Sequence, residues 1–410
     1  MSWFTRALAI MALACGVTAL PLAPPLRAET AEAPTAVASG VSYQLIGRWD
    51  ADRLNDILST QAPLNFGVKV SFTPATNAVR LYRVTYGSVI PERGNAPIVA
   101  TGLLAVPEIS GAAGLPLLSY QHGTVYGKEQ VPSFPDQSIE TRLVLAQFAG
   151  QGYVVIGADY FGMGSSKAPE GYLVKESQQQ ATYDMLIASR AVLAHMQLST
   201  SRLVLGGWSE GGFVALAMLE RLERSGVPVA GVATASAPAD IFLGMSGFLD
   251  FPRKNDADWV STLFILSAFS YENYYGLPGL ARALFNDDAY DIARRIYARE
   301  PYDTAQMPTD LRKLIRPEYF DPQAFAASAF GRLLKEKANA YRWVIQSPVR
   351  NYYGEADEII TPGLGRLVMT YQRAMGSGNT KVDAISTGET GHRGTFATAL
   401  PHWKSWFDSL

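Results

Sequence analysis

The chain has 410 residues, with 35 Lys and Arg against 37 Asp and Glu and a formal net charge of −2. No basic stripe or arm breaks that balance, so a nucleic-acid partner is not what this sequence is built for. The single cysteine, Cys15, lies near the N-terminus, and the rest must fold without disulfides, which a chain of several hundred residues can do by burying a large core.

Residues 1–28 carry Arg6, an apolar stretch over 7–20, two prolines in a row and Leu26-Arg27-Ala28. This pattern predicts a secretory signal peptide cut after Ala28, hence a secreted or periplasmic protein. The stretch is too short and too interrupted by proline for a membrane span, so none is expected in the mature form. Cys15 follows Ala12-Leu13-Ala14; a lipoprotein site would place the leucine one residue earlier, which favours soluble export over anchoring. Loss of Arg6 and Arg27 takes the net charge to −4. Residues 29–40, rich in Ala and ending in Ser39-Gly40, read as a linker. A short helix is predicted over 50–60 and strands over 68–72, 78–90 and 98–106, the last two joined by a hairpin at 91–95. From residue 115 onward apolar strands alternate with helical patterns at 139–150, 178–196, 212–224 and 363–375. This is an α/β fold: a mostly parallel sheet covered by helices on both faces, with its site at the carboxyl ends of the strands. Residues 240–345 lack strong strand signals and are too long for a structureless loop. They are expected to form a helical cap inserted into a core made of 41–239 and 346–410. Asp321-Pro322-Gln323-Ala324 starts one helix there, with Phe325, Ala329, Phe330, Leu333 and Leu334 on its apolar face.

The most informative segment is Gly207-Trp208-Ser209-Glu210-Gly211, set between an apolar run at 202–206 and the helical pattern at 212–224. Strand, sharp turn and helix are the context in which a G-x-S-x-G serine becomes an exposed nucleophile. Small residues two positions either side of the serine let the strained turn close without a clash. A serine here would otherwise serve as a helix N-cap.

A serine nucleophile needs a base, and in this architecture acid and then histidine follow the serine in the chain. His392, in the glycine-rich stretch Gly391-His392-Arg393-Gly394 after the strand pattern at 382–386, can swing toward a site at strand ends. His402 follows Pro401 at the start of an expected terminal helix over 403–410 and reads as a surface or packing residue. Asp357, in the loop after the run 349–353, is the acid that would hold the imidazole's tautomer. Glu355 and Glu358 suit a solvated acidic turn better, and Asp240 is a competing position after the strand at 229–236. Oxyanion donors are expected from the turn after Leu115-Pro116-Leu117-Leu118-Ser119-Tyr120-Gln121-His122-Gly123-Thr124, with Thr124 first and Gly123 behind it, and from the residue after the serine, Glu210. His122 is expected to brace that turn. Trp208, Trp259, Tyr271 and Tyr275 are candidate pocket walls. No H-E-x-x-H or phosphate loop occurs, and Gly162-Met163-Gly164-Ser165-Ser166-Lys167 fits neither glycine-rich nucleotide fingerprint, so no metal and no cofactor are implied.

With these motifs in place the sequence resembles the α/β-hydrolase superfamily, and within it bacterial and fungal secretory lipases and esterases. The resemblance covers roughly residues 80–410. It is carried by the Ser209 pentapeptide, Gln121-His122-Gly123-Thr124, Gly157-Ala158-Asp159-Tyr160-Phe161-Gly162-Met163-Gly164, Tyr172-Leu173-Val174 with Glu176-Ser177, the 354–362 loop and Gly391-His392. Trp208 and Glu210 stand where His and Gln often flank the serine in those lipases, a departure that bears on triglyceride hydrolysis but not on ester hydrolysis. The resemblance implies a serine hydrolase acting on a small-molecule, lipid or polymer ester. The alternatives are the same acyl chemistry on amide, peptide or β-diketone bonds, and a non-catalytic binding protein on this fold.

Overall fold

A computed structural model describes residues 33–111, 113–375 and 381–410. The predicted signal peptide and residues 29–32 of the expected linker lie outside them. Ten strands form one sheet: β1 Thr35–Ala38, β2 Val41–Trp49, β3 Val79–Ile90, β4 Ala96–Pro107, β5 Leu115–Gln121, β6 Val154–Ala158, β7 Thr200–Trp208, β8 Gly231–Ala235, β9 Val349–Tyr353 and β10 Val382–Ser386. Their order is β1-β2-β3-β4-β6-β5-β7-β8-β9-β10. Pairing is antiparallel as far as β4–β6 and parallel from β6–β5 to the β10 edge. Two expectations are corrected here. The segment read as a linker enters the sheet at Thr35, which pairs with Tyr43. Residues 68–72, read as a strand, join no ladder; Val68, Val70 and Phe72 lie partly buried on the core instead.

The helices are α1 Ala51–Asp56, α2 Ala62–Phe66, α3 Ile139–Gln147, α4 Lys175–His195, α5 Glu210–Arg224, α6 Ile241–Asp250, α7 Val260–Tyr274, α8 Leu280–Leu284, α9 Asp287–Ala298, α10 Leu311–Leu314, α11 Pro322–Ala327, α12 Ala329–Lys337, α13 Pro362–Ala374 and α14 His392–Asp408. A π-helical turn, Ile57–Gln61, joins α1 to α2, and the run stops at Gly67 with φ 71°, a left-handed position that suits glycine. Two apolar layers result. One packs α4, α5 and the helices between residues 240 and 345, and the other packs α1, α2, α3 and α14. The buried stretches of β5, β7 and β8 sit between them, as expected for strands covered on both sides.

The helices between residues 240 and 345 are tied by hydroxyl groups to the segment after β6. Tyr271, Tyr274 and Tyr297 donate from their hydroxyls to the carbonyls of Leu173, Pro169 and Glu170 at 3.1, 3.0 and 2.8 Å, and Ser270 Oγ donates to the Glu170 carbonyl at 2.8 Å. Arg299 Nη2 pairs with the buried Glu170 carboxylate at 2.9 Å. On the other side residues 240–345 meet the loop after β9, where Arg253 Nη1 donates to the Asp357 carbonyl at 3.0 Å.

Candidate active site

The turn after β7 has the geometry that its sequence implies. Ser209 sits at φ 56°, ψ −125°, outside the ordinary regions for an L-residue, and although it occupies the N-cap position of α5 its side chain makes no capping bond. A conformation of this kind costs about 1–3 kcal/mol and persists where its surroundings enforce it. The enforcement is visible in the flanking glycines. A Cβ on Gly207 would lie 2.0 Å from the Gly211 carbonyl oxygen, and one on Gly211 would lie 1.9 Å from the Gln121 carbonyl oxygen. Only hydrogen atoms fit between the elbow and the end of β5.

Ser209 Oγ lies 2.9 Å from His392 Nε2, and His392 Nδ1 lies 3.1 Å from both carboxylate oxygens of Asp357. The carboxylate selects the tautomer with the proton on Nδ1, which leaves Nε2 free to accept the Ser209 proton. Asp357 is 1% exposed and its other lone pairs are filled: Ser236 Oγ donates at 2.6 Å, and the Ile359 and Ile360 N–H groups at 2.8 Å each. Burial by itself would raise this carboxyl, but the charge of His392 and the hydrogen bonds from His392, Ser236 and Ile360 outweigh it and hold it below the usual carboxylate range.

His392 is not in a loop, as expected from its glycines, but is the first residue of α14; Pro401, read as the start of a separate helix, lies inside it. The ring is therefore aimed by a helix N-terminus, and two contacts fix that end. Glu358 Oε2 accepts the His392 N–H at 2.8 Å, so Glu358 is a built part of the site rather than a solvated turn residue. Trp208 Nε1 donates to the His392 carbonyl at 3.2 Å, and its indole packs between the imidazole, 5.2 Å away, and Phe396, stacked at 5.0 Å. Trp208 thus braces the histidine. Glu355 is exposed and accepts from Ser386 Oγ. Asp240 caps α6 and pairs with Arg342 at 2.9 Å, and His402 is exposed against Tyr352, so neither joins Ser209.

Of the expected oxyanion donors, Gly123 drops out, because its N–H is directed to both oxygens of Glu140 at 2.9 and 3.1 Å. Among the described residues the N–H groups of Thr124 and Glu210 have no acceptor. The Thr124 hydroxyl meets the Tyr172 hydroxyl at 3.0 Å. The Glu210 side chain turns into the core, where Gln178 Nε2 donates to it at 2.5 Å; burial, and then the negative charge of Glu170, push its carboxyl well above the usual range. His122 braces the turn as expected, with Nδ1 2.8 Å from the Gly123 carbonyl and its ring stacked 4.1 Å from Tyr160.

The candidate pocket aromatics separate. Trp259 lies 6.5 Å ring to ring from His392, and Tyr126, which was not anticipated, packs edge-on to Trp259 and shares a 3.1 Å hydrogen bond with Thr262. Tyr271 is fully buried with its hydroxyl on Leu173, and the partly buried Tyr275 packs on Tyr271. Glu140, Ser236 and Arg253 were also missed. Among the described residues no group of three or more His, Cys, Asp or Glu side chains is arranged to hold a metal, and no helix is long and apolar enough to cross a membrane.

This fold and elbow define a class, and the sequence comparison agrees: the chain belongs to the alpha/beta hydrolase family, whose model matches residues 122–392. Among solved structures it is similar to a Legionella pneumophila protein at 21% identity, over 90% of this chain and 96% of that one, with a TM-score of 0.79. It is also similar to the rice cell wall degrading esterase LipA from Xanthomonas oryzae at 20% identity, over 90% and 97% of the two chains, with a TM-score of 0.74. Candida antarctica lipase A is more distant, at 13% identity and TM-score 0.57 over 85% and 77%. At such identities the likeness is one of fold. No curated protein matches the sequence.

Proposed function

We propose that the chain is an exported serine esterase that cleaves carboxylic esters through an acyl-enzyme. The observation that carries this reading is the unbroken line from Ser209 Oγ to His392 Nε2 at 2.9 Å and from His392 Nδ1 to Asp357 at 3.1 Å. Ser209 attacks the ester carbonyl while His392 takes its proton, and Asp357 stabilises the imidazolium that forms. The N–H groups of Thr124 and Glu210 receive the oxyanion; a single donor of this kind is commonly worth about 10²–10³ in kcat. His392 then protonates the leaving alcohol, and water repeats the sequence on the acyl-enzyme.

In this reading residues 240–345 are a cap over a core of 41–239 and 346–410, and Trp259 with Tyr126 forms the wall on the cap side. The signal pattern at 1–28 sends the enzyme out of the cytoplasm. The ester preference of LipA, a protein of the same fold, is consistent with the assignment. Labelling with a fluorophosphonate, followed by a panel of p-nitrophenyl esters, peptide amides and β-diketones, tests it. Labelling at Ser209 with turnover confined to esters is expected; turnover of amides or diketones in preference to esters would overturn the ester assignment.

A further inference from the structure

The Gly123 N–H, one peptide before the first oxyanion donor, is committed to a carboxylate from a different element. Glu140 is the second residue of α3, a helix capped by Ser138, and is 4% exposed. Both its oxygens face the Gly123 N–H, and the hydroxyl of Tyr120, on β5, also donates to it. On the far side of the same residue the Gly123 carbonyl lies 2.8 Å from His122 Nδ1. Because a peptide is planar and trans, fixing that carbonyl toward His122 turns the Thr124 N–H the opposite way. Gly123 is further walled by Trp208, whose carbonyl oxygen would lie 3.1 Å from an added Cβ. The turn therefore hangs on two clamps, His122 on the carbonyl and Glu140 on the N–H.

We infer that Glu140 is a positioning residue for the oxyanion: its buried carboxylate orients the Gly123–Thr124 turn so that the Thr124 N–H meets the developing charge. This rests on the esterase reading above and extends it to a residue 69 positions before the serine in sequence. The clamp is also sensitive to pH. Burial pushes the Glu140 carboxyl up to about 7, against the hydrogen bonds from Tyr120 and Gly123 and the charges of Arg393 and His392. Tyr160 and Glu210 are the other titratable groups that feel its charge. Above that value both oxygens accept. Below it one oxygen becomes a donor, and the clamp loses an acceptor.

The test compares Glu140→Ala and Glu140→Gln with wild type in ester kinetics across pH 5–9. Glu140→Ala is expected to lower kcat by about 10²-fold, the worth of one oxyanion donor, with KM within about threefold. Glu140→Gln keeps a carbonyl oxygen for Gly123 and is expected to restore kcat to within about tenfold of wild type. The acid limb of log kcat/KM should be steeper in wild type than in Glu140→Gln, since only wild type carries a carboxylate at 140 to protonate. A folded Glu140→Ala with kcat within threefold of wild type would overturn the inference. Should that variant fail to fold, equal acid limbs in wild type and Glu140→Gln would overturn it instead. Failure of the underlying reading looks different, because wild type would then neither label at Ser209 nor turn over esters.

Discussion

Gly211→Ala places a single methyl group at the tightest of the described glycines. The added Cβ would sit 1.9 Å from the Gln121 carbonyl oxygen, 2.6 Å from its carbon and 2.7 Å from the His122 carbonyl oxygen, all of them backbone atoms that no side-chain rotation can clear. Relief requires more than 1 Å of separation between the start of α5 and the end of β5, the two elements that hold Glu210 and Thr124. Overpacking of this kind costs about 1–3 kcal/mol. In a chain of this size that lowers Tm by roughly 1–4 °C. Activity should suffer more, since a misplacement of about 1 Å between reacting groups can cost about 10²-fold. Gly247→Ala on α6 is the control, with nothing within 4 Å of its added Cβ, and should leave Tm unchanged or raise it slightly. Thermal melts followed by circular dichroism, together with kcat on a short p-nitrophenyl ester, decide the matter. An unchanged Tm with kcat within threefold would refute the claim that the elbow and the oxyanion turn are locked in register by that glycine.

Four further outcomes are expected. Ser209→Ala should lose labelling and fall by several orders of magnitude in kcat, as should His392→Ala, whereas His402→Ala should match wild type in the same assay. Asp357→Asn should lower kcat by about 10⁴-fold, while Asp240→Asn, which weakens the cap of α6, should show up in the melting curve and not in kcat. Because the Asp357 carboxyl is held low in the folded state, its contribution to stability is present above the unfolded carboxylate value and lost as pH falls through the lower folded one; the Asn variant should show a shallower loss of Tm in acid. Trp259→Ala should shift kcat/KM between short and long acyl esters by about tenfold, whereas Tyr271→Phe should lower Tm and leave that preference alone, and a chelator should change neither wild-type rate nor preference.

The elements that position Ser209 were legible because each leaves a local mark. β7 is a β-branched and apolar run, α5 an amphipathic one, and the glycines between them mark the turn, so the observed Thr200–Trp208 and Glu210–Arg224 lie close to the expected runs. His392 and Asp357 were legible by chain order and by the strands before them. The start of α14 was not. Glycines at 391 and 394 and a proline at 401 read as loop and boundary, yet Gly391 is the N-cap and the helix runs on through Gly394 and Pro401, because Trp403, Trp406 and Phe407 bury its far half and Glu358 satisfies its first N–H. Tertiary packing overrode local propensity there. β1 was hidden for a related reason: an Ala-rich, mostly exposed edge strand has no hydrophobic alternation, and only its pairing with β2 defines it.

What the sequence hides most completely is a role that lies in a side chain's partner. Glu140 and Tyr271 illustrate how little a residue's type says about its partner. Glu140 looks like an ordinary acidic residue in the first turn of a helix, where the macrodipole favours it, and nothing near it in sequence shows that it reaches Gly123. Tyr271 looks like a wall because it is an aromatic in an insertion beside the site, yet its hydroxyl is satisfied by a backbone carbonyl and no part of it is exposed. Trp259 is likewise aromatic but stands at the N-terminal end of α7, where the chain passes His392, whereas Tyr271 lies more than three turns further along the same helix and is fully buried. Aromatic content therefore locates the packing of residues 240–345, and only distance from Ser209 separates candidate walls of the site from residues that hold the helix in place.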